Sequence, residues 1–350
     1  MKKHKYSQYI SLGYDSNGKR IRKRVYANSK NELAFKKAQM QEQYRNCTIS
    51  CNITFGEYSA RWLEVFKRNV EVATRNMYAY VLRYVERYNC TPLKDIRVID
   101  LQEIINENSE HPRFCQQISL ALKQIWNSAI NDGLVTRNIA KQLKLPNYIK
   151  KERRSLTEEE KDAIKKCDFD QVEMIYINTL FYLGVRPAEA LSLQANDFDF
   201  INHNVTISRA CGYNGNNPYI KVPKTKKTRI IPLPQEYERI AREYIENNQS
   251  MFLVSCKNGK MLTKTMKTDL WLRIRKKINI QLGGNDNLDA TNGLIPYYFR
   301  HNYCCNCYYS GISPLMTSRL MGNSVEMVMK VYAHLDESKE NLDALRKFCM

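Results

Sequence analysis

Apolar residues recur at spacings of three and four between residues 53 and 143, and this pattern predicts a compact helical domain. One face of each predicted helix is apolar, and the opposite face is polar or charged. We interpret these faces as core, because an apolar stripe at helical spacing is usually a packing surface. The stripes consist of Phe55, Tyr58, Trp62 and Phe66, of Tyr78, Val81, Val85 and Tyr88, and of Ile118, Leu122, Ile125 and Ala129.

The first 48 residues carry a different pattern, the alternation typical of strands. YSQYISLGY and IRKRVYA alternate between apolar and polar positions, and the Asn-Gly pair between them is a strong hairpin signal. A helix is predicted from Ser29, because Ser29 followed by Glu32 has the spacing of a capping box. Residues 1–45 hold 12 Lys or Arg and 3 Asp or Glu, a net charge of +9. We expect a basic sheet backed by one helix, which either enters a DNA groove or presents a solvated charged face.

Residues 144–156, KLPNYIKKERRSL, are basic and broken by a proline, which is typical of an interdomain linker. The chain then continues in helices, beginning with a capping box at Thr157 and Glu160. Three strand patterns, NVTIS, YIKV and RIIPL, interrupt the helices and predict one short antiparallel sheet. The turn between the last two strands carries Lys224. Residues 157–350 are therefore predicted to form a mixed α/β domain.

The patterns above, together with the chain length, predict a multidomain protein that is mainly α with small β-sheets, and composition adds a class of partner. The chain has 350 residues, enough for two or three domains, and a net charge of +19. A balance this basic indicates a polyanion, with nucleic acid as the first choice and an anionic membrane surface as the second. No apolar run approaches the roughly 20 residues of a membrane span, and the N-terminus lacks the apolar core of a signal peptide. We therefore expect a cytoplasmic protein that does not enter a membrane.

Eleven cysteines are spread along the chain without a regular framework. The segment CCNC, from Cys304 to Cys307, lacks a second Cys or His pair at zinc-finger spacing. We therefore predict no structural metal, and we interpret the cysteines as buried or half-buried thiols in a reducing compartment.

The predicted C-terminal domain contains a set of side chains suited to one reaction, the cleavage of a phosphodiester by a tyrosine. Arg186 opens a helix after a glycine turn, and Glu189 shares its face. Lys224 lies on the turn between two strands. Arg300 lies at the start of a later predicted helix. Tyr332 lies in the predicted helix that follows Gly322 and Asn323.

The chemistry of such a set follows from the residue types. A tyrosine hydroxyl can attack a phosphodiester and form a phosphotyrosine ester, and two planar guanidiniums can bind the extra negative charge of the transition state. Since the pKa of free tyrosine is near ~10, nearby cations have to activate it. A lysine can protonate the leaving deoxyribose oxygen. No carboxylate cluster that would hold magnesium is evident, so neither a metal nor another cofactor is predicted.

The order and spacing of these residues resemble the tyrosine recombinases, also called the phage integrase family, over nearly the whole chain. Four segments carry the resemblance: TLFYLGVRPAEALSLQANDFDF, KTKKTRIIPLP, PYYFRHNYCCNCYYSGIS and LMGNSVEMVMKVYAHLD. By this resemblance Arg186 and its acidic partner Glu189 belong to the first catalytic box, and Lys224 is the catalytic lysine. Arg300 belongs to the second box, and Tyr332 in the third box is the nucleophile.

The resemblance also implies a domain plan and an activity. Residues 1–48 are expected to be an arm-type DNA-binding domain, 53–143 a helical, SAM-like core-binding domain, 144–156 a linker and 157–350 the catalytic domain. The implied protein is a site-specific recombinase that integrates or excises a mobile element through a 3′-phosphotyrosine and a Holliday junction. It would act as a homotetramer on double-stranded DNA with core and arm sites, associated with the nucleoid. An excisionase or a DNA-bending protein is a further partner that the resemblance allows.

Two positions depart from the family pattern. The second box usually has a histidine three residues before its arginine, where this chain has Tyr297, and the third box usually has histidine or tryptophan where this chain has Asn323. A tyrosine hydroxyl and an amide can still donate to a phosphate, but neither is a base near pH 7. His301 is a poor substitute, because adjacent residues on a helix point in different directions. The departures leave open an alternative, a catalytically weak or silent DNA-binding homologue with an accessory or regulatory role.

Five basic residues are predicted to contact DNA. Four lie in the basic N-terminal segment and are assigned to the arm site, and one lies in the helical domain and is assigned to the core site. They are Lys19, Arg20, Arg22 and Arg24 for the arm site and Arg75 for the core site.

Overall fold

The computed structural model describes residues 6–14, 20–48, 53–149 and 154–339. Its internal contacts divide the chain into two compact units, Met1–Lys150 and Lys151–Met350. The predicted fold class, mainly α with small β-sheets, is confirmed. The finer division into arm, core-binding, linker and catalytic segments stays a prediction. Within the described residues, no helix has both the length and the apolar character that crossing a membrane requires.

The first unit begins with a two-stranded antiparallel sheet, β1 (Tyr6–Tyr14) and β2 (Arg20–Ala27), followed by helix α1 (Lys30–Thr48). The apolar side of the sheet packs on the helix, with Ile10 and Val25 buried against it. The predicted cap is present in a modified form: Ser29 Oγ accepts from the Glu32 amide at 3.1 Å, whereas the Glu32 carboxylate accepts from the amide of Asn28 at 2.8 Å. The predicted Asn-Gly turn lies outside the described residues.

The helical part of this unit consists of α2 (Phe55–Phe66), α3 (Val72–Arg83), α4 (Val98–Glu107) and α5 (Pro112–Asn131). The three predicted apolar stripes form its core, with two exceptions. Phe66, the last residue of α2, is 55% exposed, and the prediction that it is core was wrong. Tyr88 lies in a short 3-10 turn after α3 and is only half-buried, because the chain has left the helix that the stripe assumed.

The second unit surrounds one central helix. Most of α7 (Gln171–Leu183) is buried, including Ile175, Leu180 and Leu183. A helix that is apolar on nearly all sides has to lie in the interior. The helices of the unit are α6 (Glu158–Lys166), α7, α8 (Pro187–Ala190), α9 (Gln235–Glu246), α10 (Lys264–Gln281), α11 (Pro296–Tyr309), α12 (Pro314–Met321) and α13 (Val325–Lys339).

The strands of this unit correct one prediction. The strands are β3 (Phe198–Asp199), β4 (Asn204–Ile207), β5 (Ala210–Asn214), β6 (Asn217–Lys221) and β7 (Arg229–Pro232). NVTIS in β4 and RIIPL in β7 share a sheet with β3, as neighbours, but YIKV in β6 does not join them and pairs only with β5. The cause is β5, a strand that the sequence pattern did not indicate, which turns tightly at Gly215 (φ +59°) and takes β6 as its own partner.

Candidate active site

Arg186 is fixed by the turn that joins α7 to α8. Gly184 ends α7 in the left-handed region (φ +56°), and a β-carbon there would lie 2.3 Å from the ring of Tyr303, so only glycine fits. Two residues later Arg186 occupies the N-cap of α8. The Glu189 carboxylate accepts a hydrogen bond from the Arg186 amide and another from its guanidinium, both at 2.8 Å. The predicted pairing of Arg186 with Glu189 is therefore present.

The last carbonyl groups of α12 and its cap are each bound by a different arginine. These oxygens have no partner within the helix, and the helix dipole makes this end negative. Three guanidiniums from three separate elements converge here. Arg229 Nε donates to Leu320 O (2.8 Å), Arg300 Nη2 to Met321 O (2.6 Å) and Arg186 Nη2 to Gly322 O (2.6 Å).

Asn323, the next residue, joins the two predicted arginines. Its Oδ1 accepts from Arg300 at 2.7 Å and from Arg186 at 3.1 Å. Because a guanidinium can only donate, the amide atom in contact has to be the oxygen. The two N–H bonds of the Asn323 amide consequently point away from the arginines. Asn323 therefore presents N–H donors at the third-box position, where the family usually has histidine or tryptophan.

Arg300 is held in the interior of the unit. It is 5% exposed, and its Nη1 donates to the carbonyl of Gly184 at 2.8 Å. Burial and the neighbouring charge of Arg186 lower the pKa of Arg300 to about 9. The group thus keeps its positive charge at pH 7.

Glu189 is a fully buried carboxylate between two arginines. Besides Arg186, it binds Arg229, whose Nη2 lies 2.6 Å from Oε2 and whose Nη1 lies 3.2 Å from Oε1. Burial acts to raise the pKa of Glu189, but the hydrogen bonds and charges of Arg229 and Arg186 outweigh it and lower the pKa. Glu189 is therefore ionised.

Tyr332 makes its hydrogen bonds to residues other than those of this cluster. It is 6% exposed, its hydroxyl donates to the carbonyl of Ile312 at 2.9 Å, and Thr317 Oγ1 lies 2.8 Å from the same oxygen. Since Tyr332 has one proton and a carbonyl only accepts, the Thr317 hydroxyl donates to Tyr332. The ring packs edge-on against Tyr308. Burial raises the pKa of Tyr332, so in this arrangement the hydroxyl is protonated.

Two further predicted residues are more exposed than the four just described. Lys224 is exposed on the connection between β6 and β7, which joins two different sheets rather than two strands of one hairpin. Tyr297 lies in the first turn of α11 and is 37% exposed. The structure thus brings Arg186, Glu189, Arg300 and Asn323 together, and their catalytic roles stay predictions.

The predicted DNA contacts lie in the first unit. Arg24 is exposed on the outer face of the β1–β2 sheet, with its guanidinium 5.2 Å from the ring centre of Tyr9 and 5.5 Å from that of Tyr26. Its Nη2 donates to Ser7 Oγ at 3.0 Å. The faces of both rings attract the guanidinium electrostatically. Of the other predicted contacts, Arg22 is exposed on β2, Arg75 is exposed on α3, Arg20 is the first residue of β2, and Lys19 lies outside the described residues.

Sequence reasoning missed Arg229 and Thr317. The signal for Arg229 was present in the strand alternation: Ile231 is buried, so the residue two positions earlier points to the same side. The side chain of Arg229 is only 7% exposed. Thr317 offered no such signal, because its role depends on where the chain places Tyr332.

Comparison with known sequences gives two matches. The sequence pattern of the phage integrase family matches residues 154–339, more than half of the chain. The pattern of the phage integrase N-terminal SAM-like domain matches residues 54–109.

Two curated relatives match along most of their length. A "Tyrosine recombinase XerC-like" protein of Caldanaerobacter subterraneus subsp. tengcongensis is 24% identical over 372 residues, covering 94% of this chain and 92% of the relative. A "Tyrosine recombinase" of Thermosipho africanus is 22% identical over 298 residues, covering 83% of this chain and 94% of the relative. The similarity therefore extends well beyond the catalytic segments.

Solved structures share the fold. The Tn1549 transposon integrase in complex with circular intermediate DNA superposes with a TM-score of 0.70 at 21% identity, covering 85% of this chain and 99% of that one. A lambda integrase tetramer bound to a Holliday junction gives a TM-score of 0.62 at 15% identity, covering 91% of this chain and 90% of that one. At these identities the match supports the architecture rather than any single residue's role.

Proposed function

This chain belongs to the phage integrase family, and from that premise we propose that it is a site-specific DNA recombinase that integrates and excises a mobile element. The observation that carries the proposal is the cluster at the end of α12, where Arg186 and Arg300 converge on Asn323 with a buried, ionised Glu189 behind them. Two fixed guanidiniums and an amide donor suit the non-bridging oxygens of a phosphodiester.

In the proposed reaction the Tyr332 hydroxyl releases its proton to water, and its oxygen attacks the scissile phosphorus and forms a 3′-phosphotyrosine. The bond to the 5′-oxygen of the next nucleotide breaks, and Lys224 protonates that oxygen to give a free 5′-hydroxyl. Arg186 and Arg300 bind the negative charge that develops on the phosphorane, with Asn323 and Tyr297 as further donors. Attack by the 5′-hydroxyl of a partner strand then releases Tyr332 and leads to a Holliday junction.

The same proposal includes the assembly and its location. A net charge of +19 favours a polyanionic partner. The proposed complex is a homotetramer on double-stranded DNA, with the helical domain on core sites and the β1–β2 sheet on arm sites. An excisionase or a DNA-bending protein would set direction, and the protein would act in the cytoplasm at the nucleoid.

The proposal is tested by covalent trapping. The full chain is incubated in EDTA with a labelled duplex that carries the end of the element and a nick one base from the cleavage position. We expect a protein–DNA band that survives denaturant, because loss of the short fragment prevents religation and no metal is needed. Failure to form this band on DNA that the protein demonstrably binds would favour the second candidate, a silent DNA-binding homologue. The resting position of Tyr332, bonded to Thr317 and Ile312, is the observation that keeps this candidate open.

Replacement of Asn323 by aspartate tests the amide donor. Aspartate has nearly the same shape and still accepts from Arg186 and Arg300, so we expect the fold to be retained. It puts a negative oxygen where the amide donates, and we expect the rate of covalent trapping to fall about 100-fold, as for loss of one transition-state donor. Asn323→His, which introduces the family's usual donor, serves as the control and should retain trapping. Equal rates for Asn323→Asp and wild type would exclude a phosphate contact by this amide.

A further inference from the structure

A third arginine, outside the pair that the resemblance identifies, lies in the same cluster. Arg229 begins β7, and its side chain is 7% exposed. Its two terminal nitrogens meet the two oxygens of Glu189 as a fork, at 2.6 and 3.2 Å. The Arg186 guanidinium contacts the same carboxylate through one nitrogen, Nη1, while the Arg186 backbone amide donates to the other oxygen. Of the two guanidiniums, that of Arg229 therefore binds Glu189 more completely.

The balance of charge explains why this matters. Glu189 carries one negative charge, and a buried carboxylate strongly attracts whichever cation it faces. With Arg186 as its single partner, that carboxylate would neutralise Arg186 and hold its donors. Because Arg229 provides a second positive charge, Arg186, Arg229 and Glu189 together carry a net charge of +1, and this charge is available at Arg186. Together with Arg300, this leaves two net positive charges for an anionic ligand.

Arg229 also fixes the position of the third box. Its Nε donates to Leu320 O at 2.8 Å, one residue before the carbonyl bound by Arg300. Its guanidinium lies so close to Gly322 that a β-carbon there would be 3.1 Å from Nη1. Asn323 follows directly. A displacement of Arg229 would therefore move the segment that aims the Asn323 amide.

We propose that Arg229 is a positioning residue of the recombinase site, which compensates the charge of Glu189 so that Arg186 stays available for the scissile phosphate, and which holds the end of α12 in register. The inference rests on the proposed function. It assigns to Arg229 no contact with DNA. Its effect is transmitted through Glu189 and through the backbone at Leu320 and Gly322.

The test is a set of single-turnover trapping rates on the nicked duplex, measured with the full chain at saturating protein. We expect Arg229→Met to lower the rate about 100-fold, the size of effect seen when transition-state electrostatics are weakened, with unchanged DNA affinity. The double variant Arg229→Met/Glu189→Gln restores the charge balance, and we expect it to be at least about tenfold faster than Arg229→Met. Arg229→Lys keeps the charge without the fork and should also exceed Arg229→Met.

A matched control separates this role from ordinary stability. Glu173 is another buried carboxylate with two cations, Arg273 and Lys277, at 3.0 and 2.6 Å. Lys277→Met removes one of them at a position outside the four segments that carry the resemblance, and we expect it to lower the melting temperature while the folded enzyme keeps its trapping rate. If Arg229 had only a structural role, the folded fractions of both Arg229→Met and Lys277→Met would trap DNA at the wild-type rate.

Two results would overturn the inference. One is a trapping rate for Arg229→Met equal to that of wild type. The other is a double variant no faster than Arg229→Met although both are folded by circular dichroism, since charge compensation requires rescue. Failure of the proposed function looks different, because the trapped band would then be missing for wild type as well.

Discussion

Replacement of Tyr332 by phenylalanine is expected to abolish covalent attachment to DNA while leaving DNA affinity unchanged. The phenolic oxygen is the proposed nucleophile, and phenylalanine removes that atom and nothing else. The ring can still pack against Tyr308, so the pocket should be retained. The measurement is denaturant-resistant band formation on the nicked duplex, with binding followed by fluorescence anisotropy.

The same substitution has a cost in stability that the structure specifies. The Tyr332 hydroxyl bonds to Ile312 O and Thr317 Oγ1 in a buried pocket, and leaving these partners without it costs about 1–3 kcal/mol. We expect this loss in the free energy of unfolding in urea. Tyr308→Phe is the matched control, because it removes a hydroxyl from the adjacent ring and should keep full trapping. A covalent band that persists in Tyr332→Phe would show that another residue is the nucleophile.

The resting position of Tyr332 has a mechanistic consequence. Its hydroxyl is protonated, and its pKa is raised by burial rather than lowered by the arginines. In the proposed reaction, cleavage therefore requires the Thr317 and Ile312 bonds to break and the hydroxyl to move next to the guanidiniums, where positive charge would lower its pKa. We expect binding of DNA to supply the free energy for this movement. The proposed cleavage would thereby be coupled to formation of the complex.

The pairing of Arg186 with Glu189 could be predicted because both residues are placed by local structure. Arg186 is fixed by a glycine turn and a helix cap, and both are visible as GVRPAE in the sequence. Capping boxes at Thr157 and the apolar stripes of α2 and α5 were predicted for the same reason. Periodicity and caps involve residues within a few positions of one another, so one sequence is sufficient to find them.

Features that depend on distant partners could not be predicted in this way. Pairing of β6 with β5 rather than β7 is decided by which strands meet, not by alternation within YIKV. Contact between Arg229 and Glu189 joins residues 40 positions apart. The direction of the Tyr332 hydroxyl depends on Thr317, which no motif marks. The order of apolar and polar residues along the chain does not determine these contacts, because they depend on tertiary packing.

Replacement of Arg300 by lysine is the second substitution with a large expected effect. Arg300 bonds to three acceptors on two segments, Gly184 O after α7 and both Met321 O and Asn323 Oδ1 at the end of α12. A lysine has a single ammonium group and no planar fork, so it cannot reach all three. At least one buried acceptor would be left without a donor, at about 1–3 kcal/mol. We expect a lower free energy of unfolding and a trapping rate reduced by roughly 10³-fold, because a transition-state donor is lost and Asn323 shifts with it.

Arg154 provides the matched control for Arg300. It is also an arginine with a forked contact in the second unit, with Nη1 and Nη2 at 2.6 and 2.7 Å from the Glu160 carboxylate, but it binds none of the carbonyls at the end of α12. Arg154→Lys should therefore lower stability and leave the trapping rate of the folded protein near that of wild type. If Arg300→Lys lost stability to the same extent as Arg154→Lys and trapped DNA just as fast, Arg300 would be a structural arginine. The phosphate would then have to be bound by Arg186 and Asn323 without it.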